Sequence, residues 1–281
     1  MEIIREIVEL KKIVDEARKK GQTIGFVPTM GYLHEGHITI MRQAKSACDI
    51  VIASIFVNPL QFGIGEDYEE YPRDLAHDAA LAESAGVHII FAPTVAEMYP
   101  QGYSSFVEVL GITEYLCGAS RPGHFRGVTT VVMKLLNIVE PDQAFFGQKD
   151  AQQVIVIKRM VQDLNMNVAI VVVPIVREQD GLAMSSRNVF LSAEERSAAP
   201  ILFKSLLEVR QLLQDGERDV QHLRAVIREH IIAQPTADID YISITDLTSL
   251  KEVDKINGSV LIALAVRFGT TRLIDNLIWE G

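Results

Sequence analysis

Over roughly the first 175 residues, stretches with helical apolar spacing alternate with short, almost wholly apolar runs. Ile3, Ile4, Ile7, Val8 and Val14 recur at helical spacing, which predicts an N-terminal amphipathic helix closed by Gly21. Residues 23–27 read as a strand ending at Pro28, residues 36–48 as a helix, and IVIASIFV from Ile50 as a second strand. That order is a βαβ unit. The alternation continues with helix over 74–84, strand over 87–91, helix over 128–139, strand over 143–146, helix over 151–164 and strand over 168–173. Strands that are apolar on both faces need cover on both faces, so the expected architecture is an open, doubly wound parallel sheet of Rossmann-like α/β type. Ligands of such a sheet sit beyond the strand C-termini.

Near Arg187 the pattern changes. Ser192 and Glu195 form a capping box that starts a helix running to about residue 213, and a second helix follows from Val220. Three strand-like runs come next: IDYISI, SVLIALAV and TRLIDNLIW. Helices followed by strands indicate a smaller α+β unit. The expected division is residues 1–180 for the Rossmann-like domain and 181–281 for the α+β domain.

Composition narrows the functional classes. With 27 basic and 37 acidic residues the formal charge is −10, which speaks against a broad grip on a nucleic-acid backbone. A small phosphorylated ligand needs only a few cations and backbone N–H groups, and stays open. The cysteines are Cys48 and Cys117, with no CxxC pair, so neither a disulfide framework nor a thiolate zinc site is expected. The charged N-terminus does not resemble a signal peptide, and no apolar run has the roughly 18 residues of a membrane span. The expected setting is cytoplasmic, with no membrane and no nucleic-acid partner.

Four stretches carry candidate chemistry. PTMGYLHEGH, Pro28 to His37, sits where a strand ends and a helix begins, so helix N–H groups face the loop. Gly31 and Gly36 let the backbone approach a ligand closely. His34 and His37, three apart, are expected on one face of the first helical turn, donating to phosphate oxygens. A zinc pair is the alternative, but HExxH needs a spacing of four. FGQKDAQQ, ending at Gln153, again follows an apolar strand: Lys149 suits a phosphate, Asp150 the positive helix end, and Gln153 a hydroxylated substrate. In REQDGLAMSSRN, Arg177 to Asn188, Met184-Ser185-Ser186-Arg187 is expected as an exposed loop able to close over a triphosphate. FVNPLQFG supplies Asn58 and Gln61 at a strand C-terminus. Three ligand-type loops, each following an apolar strand, converge on a nucleotide site.

These motifs, together with FGTTRLIDN at Phe268 to Asn276, resemble the pantothenate synthetase family (pantoate–β-alanine ligases) of the nucleotidyltransferase superfamily, over nearly the whole chain. HEGH is similar to the superfamily's HxGH motif, and MSSR to its KMSKS loop, with Arg187 at a lysine position. The resemblance implies ATP-dependent condensation of pantoate with β-alanine through a pantoyl adenylate, with ATP as substrate alongside Mg²⁺, in a homodimer. It implies ATP contacts from Met30 to His37 (Met30, Gly31, His34, Gly36 and His37), Gly147, Gln148, Lys149, Asp150, Val176 and Met184 to Arg187. Gln61 would bind pantoate and β-alanine, and Gln153 pantoate. His37 is the family's proton donor, and Asp78, after His77, resembles its acidic position near magnesium. The rival readings are a nucleotidyltransferase that leaves AMP on its product, a class I tRNA synthetase, and a nucleotide sensor without catalysis.

Overall fold

Cover on both faces is what the apolar strands of the N-terminal region require, and it is what the computed structural model provides. The structure describes residues 1–63 and 65–281 and divides into two units. The first comprises Met1–Leu110, Arg121–Gln148 and Gln152–Pro174; the second comprises Gly111–Ser120, Lys149–Ala151 and Ile175–Gly281.

In chain order the first unit contains β1 (Glu2–Ile4), α1 (Ile7–Lys19), β2 (Ile24–Thr29), α2 (Glu35–Ala47), β3 (Ile50–Ile55), α3 (Leu75–Ser84), β4 (Ile89–Phe91), α4 (His124–Val139), β5 (Gln143–Gly147), α5 (Ala151–Asp163) and β6 (Ala169–Val173). The strands form one parallel sheet in the order β1-β4-β3-β2-β5-β6. From β2 the chain proceeds through β3 and β4 in one direction, then returns to place β5 on the other side of β2. The switch point therefore lies between β2 and β5, and the crevice beyond the strand ends there is where a parallel sheet takes its ligand. One core cluster packs α2 and α3 on the sheet through residues such as Ile38, Met41, Val51, Ala82 and Phe145.

Two sequence expectations need correction. Ile3 and Ile4 are in β1, not in the first helix, with Glu2 beside Ile89 and Ile4 beside Phe91. Their spacing from Ile7 coincides with a helical repeat, but Ile4 is buried as a strand residue while Val8, assigned to the apolar stripe, is 64% exposed. The second strand also passes through Pro28 to Thr29. By Pro28, β2 has left its β5 partner, which pairs only with Gly25 and Phe26, and is paired with β3 alone. A strand paired on one side tolerates a residue without an N–H.

The second unit contains α6 (Ala193–Ala198), α7 (Ile201–Gln214), α8 (Val220–Ile232), β7 (Ala237–Asp246), β8 (Val260–Phe268) and β9 (Thr271–Trp279). The strands form an antiparallel sheet in sequence order, as the run of three apolar segments implies. Leu202, Leu206, Val209 and Leu213 of α7 and Leu223, Ile227 and Ile231 of α8 share a core with Ile244, Ile262, Leu264 and Val266. The Ser192–Glu195 capping box is present, with both reciprocal bonds. The helix it starts is shorter than expected, because Pro200 has no N–H to continue it and α7 begins anew at Ile201.

Gly127 is a position where only glycine fits. A Cβ there would lie 2.2 Å from the Leu60 carbonyl oxygen and 2.6 Å from the Gln61 Cα, so α4 lies backbone against backbone on the Pro59–Gln61 turn. Gly127→Ala should destabilise the protein by about 2–3 kcal/mol in denaturant unfolding, the usual scale of overpacking. Unchanged stability would mean that the turn yields freely.

Candidate active site

At the end of β2 the chain must turn sharply into α2, leaving the first helical N–H groups without intrahelical partners. The sequence supplies a side chain for one of them, that of Gly36, and for the N–H groups of Tyr32, Leu33 and His34 in the loop leading in. Gly31 and Tyr32 both adopt positive φ, +87° and +50°, which turns successive N–H groups toward one point. The Asp78 carboxylate fills that point, accepting from Leu33 N–H at 2.6 Å and Tyr32 N–H at 2.9 Å. A Cβ on Gly31 would come within 2.9 Å of the same carboxylate. The close approach that Gly31 permits is thus made to Asp78. Burial pushes the Asp78 carboxyl above its usual range, although the two backbone donors pull the other way.

The two histidines cap the helix. His34 is the N-cap with extended backbone, so it precedes the first helical turn instead of lying in it as expected. Its Nδ1 accepts from Gly36 N–H at 3.2 Å, and the Nδ1 of His37 accepts from His34 N–H at 3.3 Å. An Nδ1 that accepts carries no proton, so in each neutral ring the proton resides on Nε2. The ring centroids are 4.1 Å apart. The capping geometry therefore provides two adjacent Nε2–H donors at the start of a helix beside the sheet's switch point. Gly147 and Gln148 lie at the end of β5, the other strand of that switch point.

Asn58 and Gln61 are nearly inaccessible, at 1% and 8% exposure, and bonded to each other. Asn58 Nδ2 donates to Gln61 Oε1 and to the Gly127 carbonyl, both at 3.1 Å, while Asn58 Oδ1 accepts from Tyr99 at 2.8 Å. Gln61 Nε2 donates to Met30 Sδ at 3.0 Å. The Gln61 carbonyl accepts from Arg121 at 3.3 Å and from His124 at 2.9 Å. Gln153 is half-buried in the first turn of α5. Sequence reading missed Tyr99, Arg121, His124 and Gly127. A glycine inside an apolar helix costs about 1 kcal/mol relative to alanine, and that was the available sign of a packing demand at Gly127.

Lys149, Asp150, Val176 and Met184 to Arg187 belong to the second unit. The stretch from Arg177 to Arg187 is ordered and largely covered, contrary to the exposed loop expected: Gly181, Leu182, Ala183 and Ser186 are buried. It is a small hairpin in which Arg177 bridges Ala183, Met184 N–H donates to the Val176 carbonyl, and Ser185 caps the turn Ser186–Phe190 through Arg187 N–H. Arg177 anchors it by a forked pair with Asp275, at 2.6 and 2.9 Å, and a further bond to the Gly181 carbonyl. A fork of this kind fixes orientation as well as distance.

A doubly wound parallel sheet with a histidine-capped helix at its switch point defines an α/β enzyme of the Rossmann-like nucleotide-binding class. The chain belongs to the Pantoate-beta-alanine ligase family, whose model matches residues 2–278. Pantothenate synthetases from Heliobacterium modesticaldum and Acetivibrio thermocellus are 62% and 58% identical to it over 280 residues, covering each chain completely. Among solved structures, pantothenate synthetase from Thermus thermophilus is 46% identical with a TM-score of 0.94, covering 99% of both chains. A Francisella tularensis pantoate–β-alanine ligase, complexed with β,γ-ATP and β-alanine, is 38% identical with a TM-score of 0.79, covering 99% of this chain and 97% of its own. No described helix is long and apolar enough to cross a membrane.

The resemblance implies that Asp78 lies near magnesium, and its surroundings bear on that role. Asp78 is 1% exposed and both its oxygens already serve the Tyr32–Leu33 turn, so it fits a loop clamp and does not fit a metal ligand. Among the described residues no group of three His, Cys, Asp or Glu is arranged to hold a metal. Asp78→Asn should lose about 2 kcal/mol of stability, because an amide NH₂ would face a backbone donor, and slow turnover at an unchanged half-saturating Mg²⁺ concentration. A large rise in the Mg²⁺ requirement at unchanged stability would assign Asp78 to the metal instead.

Glu66 supports Arg121, and so the Gln61 carbonyl, through paired bonds of 2.7 and 2.6 Å. Burial opposes its ionisation, but the Arg121 bonds and charge and the Gly63 N–H prevail and hold the carboxyl at about 2. A depressed folded-state pKa stabilises the fold above the unfolded value of about 4.3 and loses that contribution as the pH falls toward 2. Glu66→Gln should therefore flatten the acid limb of the stability profile between those values, measured by thermal melts across pH. A limb unchanged by the substitution would remove the pair from acid stability.

Proposed function

We propose that the residues described above share out the ATP-dependent joining of pantoate to β-alanine, the reaction of this family, as follows. In the first half, a pantoate carboxylate oxygen attacks the α-phosphorus of ATP; the bond to the β-phosphate bridging oxygen breaks and pyrophosphate leaves. In the second half, the amine of β-alanine attacks the acyl carbon of the pantoyl adenylate; the amide forms, the bond to AMP breaks, and the amine's proton is released.

His34 and His37 donate through Nε2 to the phosphate oxygens on which negative charge grows, with His37 as the proton donor. Lys149, Ser185, Ser186 and Arg187 counter the same charge, and Met30, Gly31, Gly36, Gly147, Gln148, Asp150, Val176 and Met184 complete ATP binding. Gln61, already oriented by Asn58 and Met30, binds pantoate and then β-alanine, and Gln153 binds pantoate. Donors that are fixed before the reaction stabilise a transition state without reorganising, which is why the capping bonds matter to rate as well as to fold. Mg²⁺ bound with the nucleotide would neutralise charge on the triphosphate, while Asp78 serves as the clamp of the Tyr32–Leu33 turn. The homodimer and the cytoplasmic setting implied by the resemblance belong to the same reading, as does a first domain over residues 1–180 that holds the nucleotide and pantoate residues other than Met184 to Arg187.

The observation that carries the assignment is the pair of Nε2–H donors fixed at the helix start beside the switch point. A sensor of nucleotide has no need of leaving-group stabilisers, and a nucleotidyltransferase would retain AMP on its product. His37→Ala should slow pantoate-dependent pyrophosphate release by about a hundredfold, the scale for losing one preorganised donor, with the fold intact by circular dichroism. Wild-type release would remove His37 from the chemistry, and AMP appearing without β-alanine would overturn the two-step reading.

A further inference from the structure

Asp275 and Asn276 are neighbours on β9, nearly inaccessible at 2% and 5% exposure, and touch two different loops of the second unit. Successive residues of a strand project to opposite faces, so one dipeptide can hold two segments that are far apart in sequence. Asp275 takes the Arg177 fork, and Arg177 in turn binds the Gly181 carbonyl and stacks 3.8 Å over the Phe203 ring. This closes the hairpin that leads into Met184 to Arg187. Asn276 Nδ2 donates to the Lys149 carbonyl at 3.0 Å. The Asn276 N–H also donates to Asp275 Oδ1 at 2.8 Å, which joins the two holds into one network.

We propose that Asp275 and Asn276 are positioning residues for the adenylation step, setting Lys149 and the Ser185-Ser186-Arg187 turn in a common frame. The inference rests on the roles given above to those loop residues. A carbonyl held at Lys149 fixes the backbone from which its side chain springs, and a forked, stacked guanidinium fixes the hairpin more tightly than a lysine would. A displacement of about 1 Å in a catalytic group costs up to about a hundredfold in rate. Adenylation, in which charge builds on phosphate oxygens, depends on this register, whereas attack of β-alanine on a preformed acyl adenylate does not.

The two half-reactions are measured separately in single turnover: pyrophosphate release from ATP and pantoate, then amide formation from preformed pantoyl adenylate and β-alanine. Asn276→Ala, and the isosteric Asn276→Asp, should slow pyrophosphate release about ten- to a hundredfold and leave amide formation within about twofold. Arg177→Lys should do likewise. If Asn276 acts through Lys149, adding Asn276→Ala to Lys149→Ala should slow release no further, since two changes in one linked unit do not add. Equal loss in both half-reactions, or full additivity with Lys149→Ala, would reduce the pair to general stability and overturn the proposal. Slow release by Lys149→Ala with wild-type release by Asn276→Ala would overturn the positioning role alone. Wild-type release by Lys149→Ala would instead overturn the catalytic role of Lys149.

Discussion

The corner between β2 and α2 poses a problem that any strand-to-helix turn poses: several backbone N–H groups point out of the helix start with no partner. In this chain side chains meet the N–H of Gly36 in the first turn and those of Tyr32, Leu33 and His34 in the approach to it. The Asp78 carboxylate takes Tyr32 and Leu33, the His34 ring takes Gly36, and the His37 ring takes His34. Satisfying the backbone therefore decides the imidazole tautomers, and leaves the proton of each neutral ring on Nε2. A buried donor left unmet costs about 1–3 kcal/mol, so the corner has a strong preference for this one arrangement. The left-handed Tyr32 is a local strain that the Asp78 bonds offset.

The same economy governs Gln61. Its side-chain amide is oriented by Asn58 and Met30, and its own carbonyl is held by Arg121 and His124 from the approach to α4. Arg121 is held in turn by Glu66. The buried amides of Asn58 and Gln61 are thus braced by neighbours, which keeps their polar groups aligned without any ligand. In the second unit the equivalent brace is a strand, β9, whose buried Asp275 and Asn276 reach the hairpin and the Lys149 turn.

Much of the architecture was legible in the chain because its strands are apolar on both faces and its helices on one. That pattern alone requires a covered parallel sheet, and the loops that follow the apolar strands then lie at the ligand-binding edge. Where the sequence misled, the reason was local. Ile3 and Ile4 fit a helical repeat by coincidence, and Pro28 looked like a strand end because pairing with only one neighbour at that point is a property of the sheet. The stretch from Arg177 to Arg187 looked exposed because the partner of its leading arginine, Asp275, lies 98 positions further on.

The sequence by itself determined which residue types stand at each loop, and through the joint occurrence of PTMGYLHEGH, FGQKDAQQ and GLAMSSRN it determined the family. Only the tertiary structure decided what those residues do to one another. Asp78 became a clamp on the Gly31–Tyr32 turn, the histidines became caps with defined protons, and Gly127 became the contact that seats Gln61. Spacing along a chain reports faces of helices and strands, but a hydrogen bond across 45 or 127 positions depends on where the sheet and its crossovers bring the backbone, and no local pattern records that.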